Sequence, residues 1–462
     1  MFIKETYIQR RERLKRDVGK GLILLLGNEE SPMNYEDNTY HFRQDSSFLY
    51  FMGLDQPGLA GIIDIDEGKE ILFGDELSID MIVWMGKQPS LSELARPYGI
   101  SDILPSDQLN AYLRKAVEKG RDVHFLPPYR PENRIKLFNL LDIHPDQTPE
   151  KASLPLVKAV VAQREIKSEE EIAEIERAVD VSVDMHVEAI RMVRPGMKES
   201  EVHARVEQVA LAAGLHPAFP VIATVNGQTL HNHYHGNTIR SGDLFLLDAG
   251  AESPMHYAGD LSSTCPADGT FTPLQKDVYN ITLSAHEAAK NMLSPGVPFR
   301  DVHFAACREI FEGLKGMNLC KGDTEEALEA GAHALFFPCG TGHMMGLDVH
   351  DMEDLGEQWV GYAGEPKSTL FGLKSLRLAK PLEPGFVLTI EPGIYFIPDL
   401  IDLWKSEKRF TEFLDYGEID KFRNFGGIRN EEDALITETG YRVFGKPFPK
   451  TIEAVEGMMI QQ

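Results

Sequence analysis

Short apolar runs punctuate the first third of the chain at 22–27 (LILLLG), 61–66 (GIIDID) and 70–74 (EILFG), with the length and bounds of buried strands. Helically spaced stretches at 5–17 and 107–119 lie before and after them. The alternation predicts an N-terminal α/β domain over residues 1–160. It contains neither a phosphate-cradling glycine loop nor a nucleophile elbow. The pattern changes near Ser168, where Ser168 and Glu171 form a capping-box pair ahead of apolar residues at Ile172, Ile175, Val179, Val183, Val187 and Ile190. That spacing predicts a long amphipathic helix stopped by Arg194-Pro195-Gly196.

A weak internal repeat follows. Pro195-Gly196, Val202-His203 and Gly214-Leu215 recur as Pro295-Gly296, Val302-His303 and Gly313-Leu314, and strand patterns come after each copy. The repeat predicts a duplicated unit of a helix pair plus a sheet, with a site between its halves. Within it, LFLLDAGAESPMHYAGD (244–260) is expected to be a hairpin whose second extended run starts at Tyr257–Asp260, with Asp248 and Asp260 on opposite arms. A carboxylate buried unpaired at the end of an apolar strand costs several kcal/mol, so a cation must face it.

Composition narrows the function. The 462 residues carry a formal net charge of -25, which argues against nucleic acid or an anionic membrane surface as partner. No apolar run reaches the roughly 18 residues that span a bilayer, and the N-terminus has no signal-peptide core, so the expected location is cytoplasmic. Cys265, Cys307, Cys320 and Cys339 are scattered without C-x-x-C spacing and are expected to be free thiols.

Three later segments also set an acid or an imidazole among glycines and apolar strand residues: CGTGHMMGLDVHD (339–351), VLTIEPGIYF (387–396) and GGIRNEEDALIT (426–437). Arg429 and Glu431, two apart, are expected on one strand face. Asp248, Asp260, His343, Glu391 and Glu431 together make an oxygen-rich set that suits two divalent ions better than one tetrahedral zinc.

In these motifs (LLDAG, YAGDLS, GTGH, TIEPG and GIRNEED), and in YHFRQ at 40–44, the chain resembles the pita-bread metallopeptidases, in their proline-specific branch of prolidase and aminopeptidase P. The resemblance implies an α+β chain with a pita-bread catalytic domain over 161–462. It also implies two divalent metal ions per subunit, Mn2+ being the expected ion, held by Asp248, Asp260, His343, Glu391 and Glu431. His350 and His231 would contact substrate and steady the oxygen that becomes negative; His233, which precedes a tyrosine as the family residue does, competes with His231, and spacing favours His231. His231, His233 and His235 are expected on one strand face. Glu391 would also shuttle a proton, and Arg429 would hold the carboxylates from behind. Arg377, in GLKSLRLAKPLEPG, matches the prolidase arginine that grips the terminal carboxylate of a dipeptide. The implied substrates are short proline-containing peptides, Xaa-Pro dipeptides ahead of longer chains, and the implied assembly is a homodimer. Asn430, Cys339 and Ser263 depart from the family pattern without removing a ligand. A methionine aminopeptidase is disfavoured by the N-terminal domain, and a non-catalytic module or a metal-free hydrolase by the complete ligand set.

Overall fold

The computed structural model describes residues 1–460. The chain divides into two compact units: Met1–Arg164 together with Asp354–Trp359, and Glu165–Glu353 together with the chain from Val360 onward.

The first unit is built on a five-stranded mixed sheet in the order Asp102–Leu104, Lys69–Phe73, Ala60–Asp64, Leu22–Leu26, Val123–Phe125. The three central strands run antiparallel and the two outer ones pair in parallel. Leu22, Leu24, Ile62, Ile71 and Phe73 form one buried face with Leu109 and Leu113 of the helix Gln108–Glu118. The apolar runs thus became strands, as their length and β-branched content favour. The second strand ends at Asp64, two residues earlier than the pattern indicates, because the Asp64 side chain accepts from the Glu67 amide (2.9 Å) and turns the chain.

In the second unit, the helix Glu169–Met192 starts at the Ser168–Glu171 capping box and buries Ile175, Val179, Val183 and Ile190. It packs on the helix Glu199–Ala212, and the pair Pro273–Asn291 and Phe299–Gly316 repeats the arrangement. A three-stranded sheet follows each pair. The first has the order Leu261–Pro266, Leu244–Ala249, Ile222–Thr224; the second has the order Val387–Ile390, Glu432–Thr437, Gly440–Val443. A two-stranded ribbon, Gly393–Tyr395 with Gly427–Arg429, completes the surroundings of the site. No helix among the described residues is long and apolar enough to cross a membrane.

Candidate metal centre

Asp248 lies on the strand Leu244–Ala249, opposite Ser262 of Leu261–Pro266. The second arm differs from expectation. Tyr257–Asp260 is extended chain with a single bridge, Ala258 to Glu252, and the strand proper begins at Leu261. Asp260 therefore sits at the mouth of the hairpin, where the Asp433 carboxylate accepts its backbone N–H at 3.0 Å. Gly250 makes this closure possible, since a Cβ there would lie 1.8 Å from the Gly259 carbonyl oxygen.

The same device brings in the other half of the repeat. A Cβ at Gly342 would lie 2.0 Å from the Thr389 carbonyl oxygen, so only glycine lets the 339–343 loop lie on the strand Val387–Ile390. The His343 amide then donates to Thr389 Oγ1 (3.2 Å), and its ring Nδ1 bonds the Met344 carbonyl (3.0 Å). That contact turns Nε2 toward Asp260 (3.4 Å) and Glu391 (3.7 Å). Glu391 follows the strand Val387–Ile390, its amide donating to the Thr341 carbonyl at 2.7 Å.

Arg429 and Glu431 do not share a strand face. Arg429 ends one strand and Glu431 precedes the next, which belongs to another sheet, so alternation is broken between them. Ser262 joins them instead. Its hydroxyl accepts from Arg429 Nε (2.8 Å) and donates to Glu431 Oε2 (2.7 Å), while Arg429 also donates to Tyr395 Oη and to Asp248. Arg429 is the cation that the apolar strand around Asp248 requires.

Asp260, His343 and Glu431 offer donor atoms that all lie within 4.8 Å of one another. Burial, reinforced by the neighbouring carboxylates, pushes Asp260 and Glu431 well above the ordinary carboxylate range, and burial raises Glu391 too. Asp260 Oδ1 has no hydrogen-bond partner among the described residues. Arg429, with Lys450 behind Glu431 (Nζ to its backbone carbonyl, 2.6 Å), does not balance this many buried carboxyls. A hard, oxygen-rich donor set with an unsatisfied buried oxygen fits divalent cations.

The cluster forms the floor of a cleft of about 260 Å³, walled by Phe219, Pro220, Leu230, Val349, His231, His233, His350 and Arg377. The segment 231–235 is a loop, not a strand, because LHNHYHGN has turn formers and no alternating apolar positions. His231 and His233 both line the cleft. His235 turns away from them, bonding the Val221 carbonyl (3.1 Å) and stacking on His203 (4.1 Å).

Two acids escaped the reading of the sequence. Glu353 takes His350 Nδ1 at 2.5 Å and Arg377 Nε at 3.2 Å on one carboxylate oxygen. Its signal was its place three residues after His350. Asp433, fully buried, holds the Asp260 backbone, and nothing local distinguishes it from Glu432. Of the departures, Ser263 bonds His186 Nδ1 (2.7 Å), whose Nε2 bonds the Ala249 carbonyl (3.0 Å), tying the long helix to both strands of the hairpin.

A duplicated helix-and-sheet unit around a buried carboxylate and imidazole cluster defines a metal-dependent hydrolase. Residues 173–438 match Metallopeptidase family M24, and residues 7–124 match the Aminopeptidase P, N-terminal domain; the chain belongs to the M24 metallopeptidases. It is 32% identical to human Xaa-Pro dipeptidase over 470 residues, covering 97% of this chain and 91% of that one. A probable Xaa-Pro aminopeptidase of Uncinocarpus reesii is 29% identical, covering 96% and 91% of the two chains. The solved structure of a Pseudomonas aeruginosa aminopeptidase matches with a TM-score of 0.82 at 28% identity, covering 99% of this chain and 98% of that one.

Proposed function

We propose that the protein hydrolyses Xaa-Pro peptide bonds and prefers Xaa-Pro dipeptides. Arg377 carries this choice of substrate. It lines the cleft beside the carboxylate cluster and is oriented by Glu353, where a guanidinium can take a terminal carboxylate through two parallel hydrogen bonds. A longer peptide has no charge at that position.

Asp248, Asp260, His343, Glu391 and Glu431 would hold two divalent ions per subunit, Mn2+ by preference, which supply an acidified water and polarisation of the scissile carbonyl. Glu391, mostly buried but lining the cleft, accepts a proton at a carboxylate oxygen and returns it toward the proline nitrogen. His231 donates an N–H to the oxygen that gains charge, and His350, whose Nδ1–H goes to the Glu353 carboxylate, donates from Nε2 as the imidazolium. Arg429, through Asp248 and Ser262, keeps two strands of the site in register. The apolar wall of Phe219, Pro220, Leu230 and Val349 suits a pyrrolidine ring, and the tertiary amide of Xaa-Pro asks for no N–H acceptor.

The second reading is an aminopeptidase that releases the residue before proline from longer peptides; it is favoured by the likeness to solved aminopeptidases. Residues 1–160 would form the N-terminal domain and 161–462 the catalytic domain, a division supported by the two compact units of the chain. The exposed apolar residues Ile79, Val83 and Trp84 support a homodimer, and the acidic composition suits a cytoplasmic enzyme.

Gly-Pro and a longer Gly-Pro-containing peptide, assayed side by side with added Mn2+, test the proposal. A higher kcat/KM on the dipeptide is expected. Preference for the longer peptide returns the assignment to the aminopeptidase, and no cleavage of either overturns both readings.

A further inference from the structure

A second cluster of metal-binding side chains lies in the core behind the 339–343 loop. His303 and Cys307, four apart on the helix Phe299–Gly316, share one face, and His333 approaches them from the turn Ala332–Leu335. All three are fully buried, and one donor atom from each lies within 4.8 Å of the others. Cys307 Sγ is 3.4 Å from His303 Nε2. A tetrahedral zinc with Zn–S of about 2.3 Å and Zn–N of about 2.0–2.1 Å sets its sulfur and nitrogen roughly 3.6 Å apart. The His303 ring is aimed by Thr341 Oγ1, which meets Nδ1 at 2.9 Å and leaves Nε2 facing the thiol.

His333 makes the cluster more than a packing accident. Neither of its ring nitrogens has a hydrogen-bond partner among the described residues, although the ring is completely buried. Leaving such a group unsatisfied is costly, and buried polar groups are normally paired. The repeat sharpens the contrast. The equivalent of His303 in the first copy, His203, is part-exposed, and its neighbour four residues on is Glu207, 3.3 Å away. Where the second copy buries the same geometry, a thiol takes the place of the carboxylate, changing a surface ion pair into a soft donor set.

We propose that His303, Cys307 and His333 form a structural site for a thiophilic divalent cation, Zn2+, separate from the carboxylate cluster. Burial keeps both imidazoles in their neutral, ligating form, His333 down to about 4 and His303 to about 3. The Cys307 thiol must lose its proton to solvent as the metal–sulfur bond forms, so uptake releases one proton per ion. A small fourth ligand such as water completes the tetrahedron. The site would brace the loop that carries His343, because Thr341 bonds both His303 and the Glu391 amide.

Cobalt substitution of the full-length protein reads this site selectively, since thiolate-to-cobalt charge transfer gives a near-ultraviolet band that carboxylate and imidazole ligands do not. The expected result is a band in the wild type that survives in Asp260→Asn and Cys339→Ser but disappears in Cys307→Ser, with loss of about one equivalent of metal. X-ray absorption at the cobalt edge of the wild type, showing a sulfur neighbour, gives the same answer should Cys307→Ser not fold. His333→Leu separates a ligand from a merely buried ring. In the Asp260→Asn background, where the carboxylate cluster has lost a ligand, it should abolish the thiolate-to-cobalt band and the part of the zinc-dependent rise in Tm that Asp260→Asn alone retains, whereas an unliganded imidazole replaced by leucine would leave both intact. Absence of the band and of sulfur scattering, a band lost in Cys339→Ser instead, or an unchanged zinc response in His333→Leu on that background overturns the proposal.

Discussion

Asp64 in the first unit and Asp260 in the second are both buried aspartates at strand ends, and their surroundings push their carboxyls in opposite directions. Burial alone would raise Asp64, but the Arg121 guanidinium, the Glu67 amide and the Tyr112 hydroxyl (2.9 Å) outweigh it and hold the carboxyl below the usual range. Around Asp260, burial is joined by Asp248, a like charge, and one carboxylate oxygen has no partner among the described residues. The first aspartate is a finished structural device. The second is stable as an anion only if further positive charge arrives, which distinguishes a carboxylate kept for binding from one kept for folding.

That contrast breaks most sharply on activity. Asp248→Asn, Asp260→Asn or Glu431→Gln is expected to lower turnover by at least about 10²-fold while the far-UV spectrum and the unfolding transition stay close to wild type. Asp64→Asn should leave kcat/KM on Gly-Pro unchanged. Near wild-type turnover in metal-saturated Asp260→Asn would remove it from the set of ligands.

On stability the order reverses. Asp64→Asn leaves Arg121 facing a neutral amide and should destabilise the first unit by about 3 kcal/mol at pH 7, the low end for breaking a buried pair, because Asp66 still holds Arg121 Nε at 2.8 Å. A carboxyl whose folded pKa is depressed contributes stability that is complete above its unfolded pKa, near 4, and is lost as pH falls through the folded value. The gap between wild type and Asp64→Asn should therefore stay constant from pH 7 to about 5, begin to narrow near 4 and close only below the folded value. Urea unfolding combined with hydrogen exchange at Ala60–Asp64 measures it; a gap as large at pH 3 as at pH 7 would contradict the assignment of charge.

What the two regions have in common also decided what was legible. The helix from Glu169 and the strands around Leu24, Ile62 and Leu246 follow local rules of capping, period and apolar run length, so they could be read from neighbouring residues. An acid inside an apolar run stands out for the same reason, and that is why Asp248 and Glu391 could be marked. Ser262 could not, because its role is set by Glu431, 169 positions away, and Asp433 answers to Asp260 across 173. The strand face expected for His231, His233 and His235 failed for a different reason. Alternating polar residues without alternating apolar ones have no face to bury, and the segment turned into a loop.

The arginines extend the comparison at smaller scale. Arg121 spends its guanidinium on Asp64 and Asp66, whereas Arg377 meets Glu353 through Nε on the wall of a cleft. Arg377→Ala should lower kcat/KM for Gly-Pro by about 1.5–3 kcal/mol, the range for a charge-assisted hydrogen bond, and affect a tripeptide much less. Equal losses on the two substrates would assign Arg377 to the architecture of the cleft, as Arg121 belongs to that of the sheet.

Glu353 offers the finest distinction, since one carboxylate oxygen serves both His350 and Arg377. The His350 contact, together with Arg377, overrides burial and pushes its carboxyl down to about 2, so it is an anion at every pH where the enzyme would be assayed. Glu353→Gln keeps an acceptor oxygen but loses the charge. It can still receive one N–H while serving the second poorly. The expected loss in kcat/KM on Gly-Pro is about 1 kcal/mol, roughly fivefold, with Glu353→Ala worse because neither partner is then held. The split between constants separates the two partners. If Glu353 acts chiefly by orienting Arg377, KM rises for the dipeptide and the tripeptide is spared; if it acts through His350, kcat falls on both substrates alike. Wild-type constants in Glu353→Ala would show that neither side chain needs it, and the carboxylate would then rank with the surface ion pairs, which contribute little.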